Sequence, residues 1–206
     1  MVNKNTQAAP HSDEDPRQDQ LRAGTWSLLG NLLAAVPTAD VLALLRQVED
    51  AGHATDGVGG AWATLRLAAE RARPERLAEE YQDVFIGVGG GEITPYASWY
   101  MTGSLLERPL ILLRQDMEAL GMERQQGVTE PEDHAAAICE AMALVISDPD
   151  VSFAWQREFF QRHIDPWMGR FFKELQEAPS ASFYGAVGCL GEEFVRLEQR
   201  YFSMLA

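Results

Sequence analysis

Thr129-Glu130-Pro131-Glu132-Asp133-His134 runs directly into Ala135-Ala136-Ala137-Ile138-Cys139-Glu140-Ala141-Met142-Ala143-Leu144-Val145-Ile146, and the second part of that stretch decides the fold. Ala135, Ile138, Cys139, Met142, Val145 and Ile146 recur at the spacing that gathers apolar side chains on one face of a helix. The period predicts a buried α-helix, with Cys139 a small core residue. Its start is read from the first part. Thr129 with Glu132 three residues later has the form of a capping box, and Pro131 suits a first turn whose N–H has no helical partner. The carboxylates suit the positive end of the helix dipole. His134 goes beyond ordinary cap chemistry, because the dipole disfavours its imidazolium while the neighbouring acids favour it. It is therefore a candidate recognition residue. A cap with an internal Asp133–His134 hydrogen bond that braces the fold accounts for the same residues.

Outward from this helix, helical patterns cover most of the chain. Leu21, Leu28, Leu32 and Ala35 predict one face of a first helix that ends near Pro37. Thr38 suits the N-cap of a second, with Val41, Leu44, Leu45 and Val48 on its apolar face. Gly52 to Gly60 reads as a glycine-rich break. Trp62, Leu65 and Ala69 predict a third helix, stopped ahead of Pro74, and Pro74 starts a fourth whose Leu77, Tyr81, Val84 and Phe85 share a face. Gly87 to Thr94 reads as a flexible connection, suited to a hinge. Pro95 opens a further helical stretch. Arg108 to Leu120 is amphipathic, and Gly121 stands where a C′ glycine ends a helix. After the Thr129 helix, three more patterns cover Val151 to His163, Pro166 to Leu175 and Ser180 to about Met204. No alternation of β-branched residues supports a sheet. The expectation is an all-α bundle of about ten helices, as one body or as two lobes joined by a hinge. Residues 1–17, polar and without periodicity, read as a disordered acidic tail before a helical domain over 18–206.

Charge narrows the function classes. The chain has 17 Lys plus Arg against 31 Asp plus Glu, a net charge of −14. Nucleic acid and anionic membrane surfaces call for a basic face, so neither is an expected partner. A cationic partner such as an arginine-bearing peptide fits better, although an acidic surface that only serves solubility has the same composition. The uncharged run from Ala23 to Ala39 falls short of a spanning helix and is broken by Asn31 and Pro37. The acidic segment before it has the wrong sign for a signal peptide. With only Cys139 and Cys189, and no Cys-x-x-Cys pair, a reducing cytoplasm is the expected location.

Three stretches together resemble the TorD/DmsD family of redox-enzyme maturation chaperones. Tyr81-Gln82-Asp83-Val84-Phe85 is similar to the family's aromatic-x-x-Leu-Phe motif, with Val84 in place of leucine. Pro95-Tyr96-Ala97-Ser98-Trp99-Tyr100 is similar to its Pro-aromatic-x-Ser segment, and Glu130-Pro131-Glu132-Asp133-His134, running into Glu140-Ala141-Met142, resembles its Glu-Pro-x-Asp-His signature. Phe159 to Trp167 resembles a family helix ending in a Pro-Trp pair. The resemblance implies an all-helical protein without a prosthetic group. It also implies binding of the twin-arginine leader of a molybdopterin oxidoreductase precursor, held in the cytoplasm until cofactor insertion, and in some members contact with the mature enzyme. Carried over by motif, Tyr81, Phe85, Pro95, Tyr96, Ser98, Pro131, Asp133 and His134 belong to the peptide-binding surface. Lobe exchange between members implies either a monomer or an exchanged homodimer.

The side-chain chemistry supports this independently. A leader that presents two guanidinium groups and then an apolar segment needs carboxylates beside an apolar groove. Glu130, Glu132 and Asp133 can make charge-assisted contacts to arginine. Tyr81, Phe85, Tyr96 and Trp99 can line the apolar part, and His134 can orient Asp133 or donate to the peptide backbone. Core packing is the competing account of Tyr81 and Phe85. Tyr96, Trp99 and Tyr100 cannot all point inward from one helix. Gly87-Val88-Gly89-Gly90-Gly91 lacks the Gly-Lys-Ser/Thr ending of a phosphate loop. A metal-dependent hydrolase built on Glu130, Asp133 and His134 lacks a second well-spaced His or Cys ligand, so no metal and no enzyme activity is expected. A helical adaptor for another partner is the remaining alternative.

Overall fold

In the computed structural model, which describes residues 16–48, 57–122 and 130–204, the described residues form ten α-helices and no strand. They are α1 (Pro16–Ala34), α2 (Ala39–Arg46), α3 (Gly57–Arg71), α4 (Pro74–Tyr81), α5 (Ala97–Thr102), α6 (Arg108–Ala119), α7 (Ala135–Ser147), α8 (Phe153–His163), α9 (Met168–Glu177) and α10 (Phe183–Met204). One π-helical turn, Gln82–Ile86, continues α4. Helix α1 packs on α7, and α10 packs on α9 and α3. Buried apolar residues from every one of these ten helices belong to one continuous cluster. The described residues therefore share a single core and not two.

Every residue of the stripe read in α7 is buried. The start of the helix differs from the reading. It begins at Ala135, with His134 as N-cap: the ring Nδ1 accepts the Ala136 N–H at 3.1 Å. Thr129, half of the expected capping box, lies outside the described residues. Pro131 and Glu132 precede the helix and are not in its first turn. Here a ring nitrogen supplies the acceptor that capping normally takes from a hydroxyl or carboxylate.

Other corrections have equally local causes. In α2 the Thr38 cap is present, its Oγ1 accepting the Val41 N–H at 3.3 Å. The buried residues there are Leu42 and Leu45, however, while Leu44 is 66% exposed. In α1 Leu21 is exposed, as is Ala35 just past its end, and Trp26, Leu29 and Leu33 are buried. That rotation follows Arg22, whose Nε and Nη2 donate to the two oxygens of Glu198 at 2.7 and 2.9 Å. Trp26 Nε1 donates to the same carboxylate at 3.2 Å. Gly57 to Gly60, read as part of a break, form the first turn of α3; residues 49–56 are outside the described residues. Of the expected tail, residues 16 and 17 are helical and 1–15 are not described.

Close approach of α9 and α10 depends on glycine. A Cβ at Gly191 would lie 2.3 Å from the Phe172 ring, and one at Gly188 would lie 2.7 Å from the Phe172 carbonyl oxygen. Only hydrogen at these positions lets the two helices meet at that distance.

Candidate functional site: an acidic cleft with an apolar floor

Two motifs about 35 residues apart in sequence interlock backbone to backbone. Ala97 N donates to Asp133 O at 2.9 Å and Ala135 N donates to Pro95 O at 2.8 Å, forming an isolated antiparallel bridge between Tyr96 and His134. Side chains reinforce it. Asp133 Oδ2 accepts from Ser98 N at 2.9 Å and from Ser98 Oγ at 2.5 Å. Asp133 thereby serves as a non-local cap for α5, whose own N-cap residue, Tyr96, makes no side-chain cap bond. Both members of the pair are buried, Ser98 at 0% and Asp133 at 1% exposure. The Tyr96 hydroxyl donates to the Glu130 carboxylate. The Tyr96 and His134 rings meet edge to face with centroids 5.1 Å apart.

This clasp forms one wall of a cleft of about 650 Å3. Of the residues singled out in the sequence, Tyr81, Phe85, Pro95, Tyr96, Glu130, Pro131, Glu132 and His134 line it. Asp133, Ser98 and Trp99 do not. The first two are sealed inside the clasp, and Trp99 is 44% exposed elsewhere on α5. Tyr81 and Phe85 stand at the junction of α4 with the π turn, ring centroids 5.1 Å apart, and both pack on Tyr184 of α10. The Tyr81 hydroxyl donates to Ala34 O at 2.9 Å, tying α4 to the end of α1. Both rings are half-buried, so each packs inward on one side and borders the cleft on the other. Val84, where the related motif has leucine, is fully buried.

The π turn widens the helix by one residue at this border, a distortion that recurs at functional sites. It is held by the glycine-rich connection behind it. Gly87 N donates to Gln82 O at 2.7 Å, Ile93 N to Val84 O at 2.9 Å, and Glu92 N to Asp83 O at 3.2 Å. A Cβ on Gly91 would lie 2.4 Å from the Phe85 carbonyl carbon. The segment read as a flexible hinge is thus folded back on the π turn and closes it.

Environment sets the protonation states. Burial lowers the His134 pKa, against the opposing pull of Glu130 and Asp133. The neutral ring accepts at Nδ1 from Ala136, so its proton sits on Nε2. Burial, with the hydrogen bond to Glu130 and the charges of Glu130 and Asp133, raises the Tyr96 pKa, so its hydroxyl remains a donor. Glu132 is held by Arg114, whose Nη2 and Nε donate to Oε2 at 2.7 and 2.9 Å.

Several lining residues are not among the site residues expected from the sequence. Glu140 faces the cleft from α7, where it is the one charged residue of the helix. That isolated carboxylate on an apolar helix was the available signal. Ala136, Ala137 and Ala141 flank it, and Ile86, Met117, Met122 and Leu144 extend the apolar lining. Methionines at such a surface adapt to varied side chains. The cleft can therefore accept guanidinium groups at its carboxylates and apolar side chains along its floor. Among the described residues no cluster of His, Cys, Asp and Glu is arranged to hold a metal, and no helix is long and apolar enough to cross a membrane.

The fold and the sequence of this chain are those of the TorD-like redox-enzyme maturation chaperones, which are not enzymes. Residues 52–173 match the family model described as nitrate reductase delta subunit, and the chain belongs to that family. Among its relatives is a chaperone protein TorD of Shewanella loihica, 25% identical over 205 residues that cover 92% of this chain and 96% of the relative. Another of the same name, from Vibrio atlanticus, is 24% identical over 149 residues, covering 67% of this chain and 69% of that one. The crystal structure of a candidate redox enzyme maturation protein from Archaeoglobus fulgidus has the same fold. It superposes with a TM-score of 0.55 at 16% identity, covering 94% of this chain and 99% of that one.

Proposed function

We propose that this chaperone binds the twin-arginine leader of a molybdopterin oxidoreductase precursor in the cytoplasm and holds it until cofactor insertion and folding are complete. The observation that carries the reading is the cleft itself. Eight residues singled out from three separate motifs line one cavity, with carboxylates beside an apolar floor. In this reading Glu130 and Glu140 receive the two guanidinium groups, and Glu132 does so by exchange with Arg114. The apolar segment of the leader lies against Phe85, Ile86, Met117, Met122 and Leu144. His134 offers its Nε2–H to the peptide backbone. Asp133 acts as a positioning residue, since its carboxylate holds the Tyr96 segment against the α7 start. The net charge of −14 favours the same cationic ligand at long range.

The test is calorimetric titration with a synthetic peptide carrying two consecutive arginines followed by an apolar segment. Binding near ~1 μM, about −8 kcal/mol, would hold a leader and still release it. Replacement of both arginines by alanine should abolish the heat. Equal binding of the alanine peptide would overturn the reading in favour of a helical adaptor for another partner.

A further inference from the structure

One guanidinium already stands at the cleft, and it belongs to the chain itself. Arg114, on α6, donates through Nη2 and Nε to Oε2 of Glu132, a residue of the cleft wall, at 2.7 and 2.9 Å. Met117, one turn further along the same helix, lines the apolar floor. Arg114 approaches from outside: its side chain is 49% exposed and does not line the cleft, whereas that of Glu132 is 13% exposed. Both of its donors converge on one carboxylate oxygen. Arg22, by contrast, sends Nε and Nη2 to separate oxygens of Glu198 in the closed core. The converging geometry lacks the two parallel bonds of a fork, and water reaches it, so the pair opens at little cost. The helix beneath is fixed. From the opposite face of α6, Asp116 accepts from Arg162 Nη1 at 2.5 Å and pairs with His163 Nε2 at 2.6 Å, both at the end of α8. Leu110 and Leu113 are buried. Opening the Arg114–Glu132 pair therefore takes a side-chain rotation on a stationary backbone.

We propose that Arg114 is a built-in competitor: in the empty cleft it occupies a carboxylate that an arginine of the leader takes, and it returns there when the leader departs. The inference rests on the leader reading and adds to it how the site is regulated. While the cleft is empty, Arg114 keeps the half-buried Glu132 carboxylate paired. Binding exchanges one guanidinium–carboxylate pair for another, so Glu132 contributes selectivity for a planar cation and little net affinity. On release, the internal guanidinium is tethered within a side chain's length of Glu132 and recaptures it at high effective concentration. The contact is thus autoinhibitory and favours turnover of the bound leader. An ordinary surface ion pair has the same distances, but the two roles differ in sign. Loss of a merely structural pair leaves leader affinity unchanged or lowers it, whereas loss of a competitor raises it.

The experiment titrates the full chain with the peptide of two consecutive arginines and an apolar segment, at about 0.3 M salt, where charges not in contact are largely screened. Arg114→Gln should bind the peptide about threefold more tightly than the wild type, the scale of one exposed ion pair. Introduced into Glu132→Gln, the same substitution should bring no gain, because the carboxylate competed for is gone. In nitrogen-15 NMR, saturating the wild type with peptide should move the Arg114 Nε–H signal to the position it takes in Glu132→Gln alone. Binding to Arg114→Gln but not to the wild type would be the strongest support. Unchanged or weaker binding by Arg114→Gln overturns the proposal and leaves the leader reading standing. So does an equal gain with and without Glu132, which assigns the effect to net charge, or an Nε–H signal that bound peptide does not move. Failure of the peptide to bind any of these proteins overturns the leader reading, and this inference with it.

Discussion

Arginine meets carboxylate in two very different places in this molecule. Between α1 and α10, Arg22 and Glu198 form a bidentate pair with the carboxylate fully buried. Asp19 and Gln156 accept from the remaining guanidinium nitrogen at 2.8 and 3.2 Å, and the Tyr201 ring lies 4.2 Å below. Each guanidinium nitrogen has an acceptor within the chain, and the site is closed to solvent. In the cleft, Glu130 and Glu140 are exposed, and Glu132 is held by the half-exposed Arg114. The same ion-pair chemistry braces the fold where solvent is excluded and, in the proposed function, serves recognition where solvent can be displaced. The distinction rests on the cost of stripping water from a charge, which is met once during folding at the first site and on each binding event at the second.

The sharpest way to break this contrast is Glu198→Ala. It leaves the Arg22 guanidinium buried without its principal partner and should cost about 3–5 kcal/mol in urea denaturation. Leader affinity of the fraction that remains folded should be unchanged, and a selective loss of affinity would refute the purely structural role.

Asp133→Ala comes next. It deprives the buried Ser98 N–H and hydroxyl of their acceptor, with an expected loss of about 2–3 kcal/mol by the same measurement. Asp133→Asn retains an acceptor oxygen and should fall between this variant and the wild type. Unchanged stability in both, with leader binding lost, would instead make Asp133 a direct arginine contact.

In the cleft the expected signs are reversed. Glu130→Gln with Glu140→Gln should leave stability within about 0.5 kcal/mol, as exposed charges do, while weakening the leader peptide about tenfold at low salt. That difference should shrink as ionic strength rises. A difference insensitive to salt would count against charge recognition.

The smallest effect concerns pH. Burial is the largest cause of the lowered pKa of both His134 and His163, so each binds its proton less readily folded than unfolded. Their stability contribution is complete above the ordinary value of 6.5 and is lost as pH falls through it towards the lower folded-state values. His134→Asn keeps a capping acceptor and should make the decline in melting temperature between pH 7.5 and pH 5.5 shallower. An identical decline would remove His134 from the account.

What could be read in advance follows from how local the governing physics is. The α7 stripe, the Thr38 cap and the Gly121 terminus depend on residues within a turn or two of each other, and all three stand as read. The buried face of α1 differs from the expected one because a distant partner, Glu198, draws Arg22 and Trp26 inward. Tyr96 and Glu130 were legible as site residues through motif resemblance, and they do meet. Glu140, although it continues the third motif, is not legible as a site residue, because one exposed carboxylate on a helix is ordinary until the cavity beside it is known.

By itself, the sequence determined the all-α class, the positions of nearly every helix, the acidic character and the three motifs, since periodicity, capping and charge are properties of neighbouring residues. Only the tertiary structure decided that Asp133 turns inward while Glu130 and Glu140 turn out, and that α4 ends in a π turn closed by glycines. Those outcomes depend on which groups lose water when segments far apart in the chain come together, and no local pattern carries that information.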